Sequence, residues 1–145
     1  MSYTPRYGPP KLPAPTVPTE SEEQRALFEW AELYAGQYPE LALLFHVPNG
    51  GARYKATAGR MKAEGVKSGV PDICLPVARG KYHGLFVEMK RTGGGKASLA
   101  QEDWLDRLNQ QGYAAMICHG WQEAAEVIRL YLDKKQTPTP VPTPM

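Results

Sequence analysis

The chain has 145 residues, 17 Lys and Arg against 15 Asp and Glu, and a net charge of +2. Its apolar share of 42% and charged share of 22% are ordinary globular usage, which excludes whole-chain disorder, a collagen-like polymer and a coiled-coil rod. No apolar run is long enough for a membrane helix, and the start MSYTPRYGPP has no apolar core of a signal peptide. Cys74 and Cys118 lie in apolar surroundings and read as buried thiols of a reducing compartment, so a cytoplasmic protein is expected.

Proline usage marks the boundaries. Pro5, Pro9, Pro10, Pro13, Pro15 and Pro18 crowd one end, and Pro138, Pro140, Pro142 and Pro144 the other. Residues 1–19 and 136–145 are therefore expected to be extended tails around a single domain at 20–135. That domain opens with a helix. Thr19 and Glu22 have capping-box spacing, Leu27, Trp30, Ala31 and Tyr34 form an apolar stripe, and Gly36 and Pro39 stop the helix near Ala35. The run Leu41–Val47 predicts a buried strand, ended by a turn at Pro48-Asn49-Gly50-Gly51. A short helix is expected around Thr57–Glu64. Asp72–Ala78 and Leu85–Lys90, joined through Arg79–Gly84, predict an antiparallel hairpin. After a Gly-rich loop at Thr92–Lys96, Ser98 and Gln101 form a second capping box, and a helix carries Trp104, Leu105 and Leu108 up to Gly112. Tyr113–His119 predicts another strand, and Trp121 opens a last helix with Ala124, Val127, Ile128 and Tyr131. The order is α-β-(α)-β-β-α-β-α, an α/β fold with a mixed sheet flanked by helices.

The chemistry concentrates at Pro71-Asp72 and Glu88-Met89-Lys90. Side chains alternate along a strand, so Glu88 and Lys90 share a face, and hairpin pairing can set Asp72 beside Glu88. Two neighbouring carboxylates repel unless a hard cation such as Mg²⁺ joins them, and Mg²⁺ favours carboxylate oxygens, water and phosphate. Lys90 would then orient or deprotonate an attacking water, a combination suited to phosphodiester hydrolysis. An acid-x-base pair on a strand is commonly just a solvated edge. Here Leu85, Phe86 and Val87 make the strand continuously apolar, so charges at its end need a partner or a task.

These residues resemble the PD-(D/E)XK nuclease signature, and the surrounding words resemble the virus-type replication-repair nuclease (VRR-NUC) domain in its stand-alone phage and bacterial form. The matching words are Val47–Gly51, Ala63–Asp72, Gly84–Lys90, Ser98…Gln101…Trp104 and Gly112-Tyr113, spread over about residues 20–132. The resemblance implies a PD-(D/E)XK core in which Asp72, Glu88 and the Met89 carbonyl bind Mg²⁺ or Mn²⁺ and Lys90 serves the water. Gln101 matches the family's glutamine, steadying the site or a substrate phosphate, and closing a capping box is its equal alternative. Relatives carry a first-helix glutamate near the metal, which corresponds here to Glu20, with Glu23 as the fallback; a simple preference of acids for a helix N-terminus is the competing explanation. The resemblance also implies a homodimer similar to Holliday-junction resolvases, acting on four-way DNA junctions in DNA repair. The alternatives are a monomeric flap- or nick-directed nuclease and a non-catalytic nucleic-acid-binding module.

Charge supports a nucleic-acid partner independently. Between Arg53 and Lys96 ten basic residues face only Glu64, Asp72 and Glu88, although the whole chain is near neutral. A phosphate backbone requires such clustering. Arg53, Lys55, Arg60, Lys62, Lys67, Arg91 and Lys96 are the candidate DNA contacts, with Asn49, Gly50 and Gly51 bringing backbone amides near phosphate. His46 reads as a structural hydrogen-bonding residue, and Cys74, Cys118, His83 and His119 lack zinc-site spacing.

Overall fold

A computed structural model describes residues 16–48 and 58–136. The tails at 1–15 and 137–145, the turn residues Asn49, Gly50 and Gly51, and the candidate DNA contacts Arg53 and Lys55 lie outside the described residues.

Helix α1 spans Glu20–Tyr34 and starts as expected, with the Thr19 hydroxyl accepting from the Glu22 backbone N–H at 3.2 Å. It buries Leu27 and Ala31. The expected strand over Leu41–Val47 does not form as such. Pro39–Leu43 is a 3₁₀ helix, and only Phe45–His46, exposed rather than buried, is strand β1. Burial explains the difference: Leu41 and Leu44, three apart, enter the core, while Leu43 and Phe45 stay outside. That is the period of a 3₁₀ turn, and a continuous apolar run does not reveal its period. Pro39 favours this start because it has no N–H to give a sheet.

Helix α2 is Ala58–Ala63, within the expected segment. Strands β2 (Ile73–Leu75) and β3 (Leu85–Lys90) form the expected antiparallel hairpin, with Ile73 opposite Val87 and Leu75 opposite Leu85. Helix α3 covers Leu99–Gln110, β4 Ala114–His119 and α4 Trp121–Leu132. Strand β4 runs parallel to β3, so the four-stranded sheet is mixed, in the order β1-β2-β3-β4.

Alternation splits the sheet chemically. Leu85, Val87 and Met89 point to the face covered by α1 and α4, where they join Leu27, Ile73, Leu75, Ile128 and Tyr131 in one apolar core. Phe86, Glu88 and Lys90 point to the other face, where α3 packs. There the Phe86 ring meets Tyr113 edge-on at 5.4 Å between centroids. Both cysteines are free and buried. Among the described residues no helix is long and apolar enough to cross a membrane.

Candidate active site

The hairpin register, continued by one residue beyond Ile73↔Val87, sets Asp72 beside Glu88. Asp72 is held there twice. Its Oδ2 accepts the Met89 backbone N–H at 2.9 Å. Its carbonyl oxygen accepts from Val47 N at 2.6 Å and lies 3.0 Å from His46 Nδ1, which donates to it. His46 therefore has the structural role expected of it. Met89 itself sends its side chain into the core of the opposite face.

Glu88 is the most constrained group of the site. Its side chain is almost fully buried; Oε1 accepts from Gln101 Nε2 at 2.7 Å and lies 3.7 Å from Lys90 Nζ. Oε2 has no hydrogen-bond partner among the described residues. Burial, reinforced by the neighbouring Asp72 carboxylate and opposed by Lys90, pushes the Glu88 carboxyl up to about 8. An acid so placed is poised between proton and cation.

Gln101 joins the two roles that the sequence leaves open. Its Oε1 accepts from the Ser98 backbone N–H at 2.8 Å, completing a reciprocal capping box with the Ser98 hydroxyl, and also from Lys90 Nζ at 3.1 Å. The Nε2 goes to Glu88. One amide thus terminates a helix and ties an ammonium to a carboxylate. Close packing fixes the helix start: Gly69, at φ +88°, abuts Ala100 so tightly that a Cβ there would come 2.7 Å from the Ala100 carbonyl carbon. Trp104 adds a bond from its Nε1 to the Ser68 carbonyl at 3.1 Å. The segment leading into Asp72 and the helix carrying Gln101 are locked together. On the other side, the loop after β3 lies on the Lys90 stem, where a Cβ on Gly95 would approach Lys90 Cδ to 3.2 Å.

The first-helix acids are placed differently from one another. Glu20 is exposed at the helix start, whereas Glu23 is buried. The Glu23 carboxylate accepts from the Thr92 hydroxyl at 3.0 Å and from the Trp121 backbone N–H at 2.7 Å, joining α1 to the end of β3 and the start of α4. The signal in the sequence is an acid four residues before Leu27, on the buried stripe. Among the described residues no third Asp, Glu, His or Cys completes a cluster with Asp72 and Glu88. Two carboxylates, one with an unpartnered buried oxygen, fit a hard divalent cation that keeps water and takes phosphate oxygens, and do not fit a closed zinc site.

Of the described candidate DNA contacts, Arg60, Lys62, Lys67, Arg91 and Lys96 are all exposed. Arg60 pairs with Glu64 at 3.0 Å on the surface. Lys67 lines an open groove of about 870 Å³ with Trp104 and Arg107, although Asp103 and Asp106 also line it. Arg79, part of the basic count, is not a surface charge. It is buried, bonded to the Leu132 carbonyl and to Glu40, and so belongs to the scaffold.

The VRR-NUC domain model matches residues 18–122. A solved structure described as a VRR_NUC domain protein shares 29% identity at a TM-score of 0.70, over 83% of this chain and 93% of that one. No curated protein matches the chain. With a matching domain model over most of its length and the same fold in a solved member, the chain belongs to the VRR-NUC domain family of nucleases.

Proposed function

We propose that the protein is a Mg²⁺- or Mn²⁺-dependent, structure-selective DNA endonuclease, acting as a homodimer on branched DNA such as a four-way junction, in the cytoplasm. The observation that carries the metal-dependent reading is the pairing of half-buried Asp72 with buried Glu88, whose Oε2 is unpartnered among the described residues and whose Oε1 is bridged by Gln101 to Lys90. Asp72 and Glu88 would hold the cation, with the Met89 carbonyl beside them. The bound cation supplies Lewis-acid polarisation of the phosphate and a lowered pKa for water.

The chain's own residues supply the remainder. Gln101 holds the Lys90 ammonium on the site face, where it can orient the attacking water and offset the charge that develops on the phosphate. The Gly95 backbone and the start of α3 restrict Lys90 to that position. Water attacks phosphorus as the P–O bond to the leaving sugar breaks; the water gives up a proton to solvent and the departing sugar oxygen takes one up, leaving a phosphate monoester and a free hydroxyl. Exposed Lys67, Arg91 and Lys96 offer charge to the flanking backbone. The choice of a junction and of a dimer rests on the family resemblance, since two copies with paired sites would cut opposing strands.

The test is a cleavage panel of duplex, flap, fork and four-way junction with Mg²⁺, Mn²⁺ or chelator, accompanied by sedimentation. Symmetric cleavage of the junction by a dimer, abolished by chelator, is expected. Cleavage that persists in chelator would remove the metal, and preference for flaps by a monomer would remove the resolvase assignment.

A further inference from the structure

The parallel register of β3 and β4 places two residues of β4 on the site face. Ile117 lies opposite Glu88 and His119 opposite Lys90, and paired residues of neighbouring strands share a face. Glu88 and Lys90 are buried, but Ile117 is only half-buried and His119 is exposed. The β4 flank is thus an open shelf beside the carboxylates, with an imidazole at its end.

His119 is fixed at its backbone and free at its ring. Its N–H donates to Glu123 Oε2 in the first turn of α4 at 3.2 Å. The next residue, Gly120, donates its N–H to the Lys90 carbonyl at 2.8 Å and adopts φ +88° against Thr92. These bonds tie the His119 position to that of Lys90. The ring makes no hydrogen bond to any described residue. An exposed imidazole offers an N–H donor whether neutral or protonated, and a non-bridging phosphate oxygen is the acceptor that a nuclease site brings to it.

We infer that His119 is a substrate-contacting residue that donates a hydrogen bond to the phosphodiester adjoining the one being cut. The inference rests on the nuclease reading of the Asp72–Glu88 site. It concerns a position that zinc-site spacing gives no reason to select.

The test compares wild type, His119→Ala and His119→Gln on the best-cut oligonucleotide of the cleavage panel. Loss of a hydrogen bond to a charged acceptor should raise KM about tenfold in His119→Ala while kcat stays within about twofold, and Gln, which keeps an N–H donor, should recover part of the loss. Methylphosphonates placed one at a time along the cut strand should weaken wild type at one phosphate beside the cut, with no further loss there in His119→Ala. An unchanged KM, or equal sensitivity of both proteins at every phosphate, overturns the inference. So does a melting temperature lowered by more than about 3 °C, because an exposed substrate contact should carry little stability. A wild type that cuts no panel member overturns the nuclease reading itself, which separates that failure from this one.

Discussion

The two faces of strand β3 are built from alternate residues of one six-residue segment and do opposite things. On the α1/α4 face Leu85, Val87 and Met89 are at most 1% exposed and belong to the apolar core. On the α3 face Phe86 packs against Tyr113, but the next two inward residues, Glu88 and Lys90, are charged; the Gln101 amide partners Glu88 Oε1 and the Lys90 ammonium and leaves Glu88 Oε2 without a partner among the described residues. Glu88, at 2% exposed, is buried about as deeply as the three apolar residues, and Lys90 is also buried. The first face gains from burial, and the second loses by it unless a cation or a substrate supplies what water no longer does. A candidate site at the end of a core strand thus has a rigid apolar face behind it and a polar face in front.

The sharpest break of this symmetry exchanges neighbours in the chain. Glu88→Gln or Asp72→Asn should reduce metal-dependent cleavage by on the order of a thousandfold or more, exceeding the loss known for a single transition-state donor, while DNA binding stays within a few-fold. Met89→Ala, one residue away, should leave the site chemistry in place and cost about 2–5 kcal/mol of stability. Denaturant melts alongside cleavage rates check both. A Glu88→Gln protein that cuts at the wild-type rate would refute the site.

Gln101→Ala comes next. It removes the link between Lys90 and Glu88 and half of the capping box, so cleavage should fall about 10- to 100-fold with a modest loss of stability. Ser98→Ala, which cuts only the cap, should reproduce the stability loss with little loss of rate. Equal rate losses in the two would show that the cap alone matters.

A pH scan separates the faces without changing a residue. Glu88 holds its proton to about 8 in the fold against an ordinary 4.5. Between those values the folded chain binds more protons than the unfolded one, so this group's stabilisation is complete below the ordinary value and is lost as pH rises. The melting temperature of metal-free protein should fall across that window, and the Glu88→Gln protein should lack this part of the fall. Added Mg²⁺ or Mn²⁺ should raise the melting temperature more at about pH 8.5 than at about pH 6, because protons no longer compete for the carboxylates. A metal effect independent of pH would contradict the assignment.

The smallest effect is at the rim. Lys67→Glu should weaken DNA binding a few-fold and reduce the slope of affinity against salt by about one phosphate contact or slightly more. Titrations at several salt concentrations measure it, and an unchanged slope would take Lys67 out of the interface.

Much of the fold was legible because its signals are local. The Thr19 N-cap, the Ser98–Gln101 capping box, the proline and glycine stops, the hairpin and the last two elements each depend on residues a few positions apart; at Thr19 the box stays half-made, because Glu22 Oε1 accepts from the Thr19 hydroxyl and not from its backbone N–H. The run at Leu41–Val47 misled because it gives no period of its own. The core accepted Leu41 and Leu44, while Glu40 reached Arg79 on a distant loop. The site was half legible. Asp72, Glu88 and Lys90 announce themselves as charges flanking apolar runs, and hairpin geometry brings them together. The division of labour between Glu20 and Glu23 did not announce itself, since helical spacing puts both near the stripe. The Thr92 hydroxyl and the Trp121 N–H, far away in sequence, hold the Glu23 carboxylate.

By itself, the sequence determined every element but the Leu41–Val47 run, the apolar and polar faces of β3, and the types of residue at the candidate site, because alternation and capping are properties of adjacent residues. Tertiary structure decided what those residues become. It placed Gln101 across both Glu88 and Lys90, withdrew Arg79 from the surface and set His119 opposite Lys90 in the strand register. Each of these depends on register between strands or on packing between elements far apart in the chain, and neither is written in local spacing.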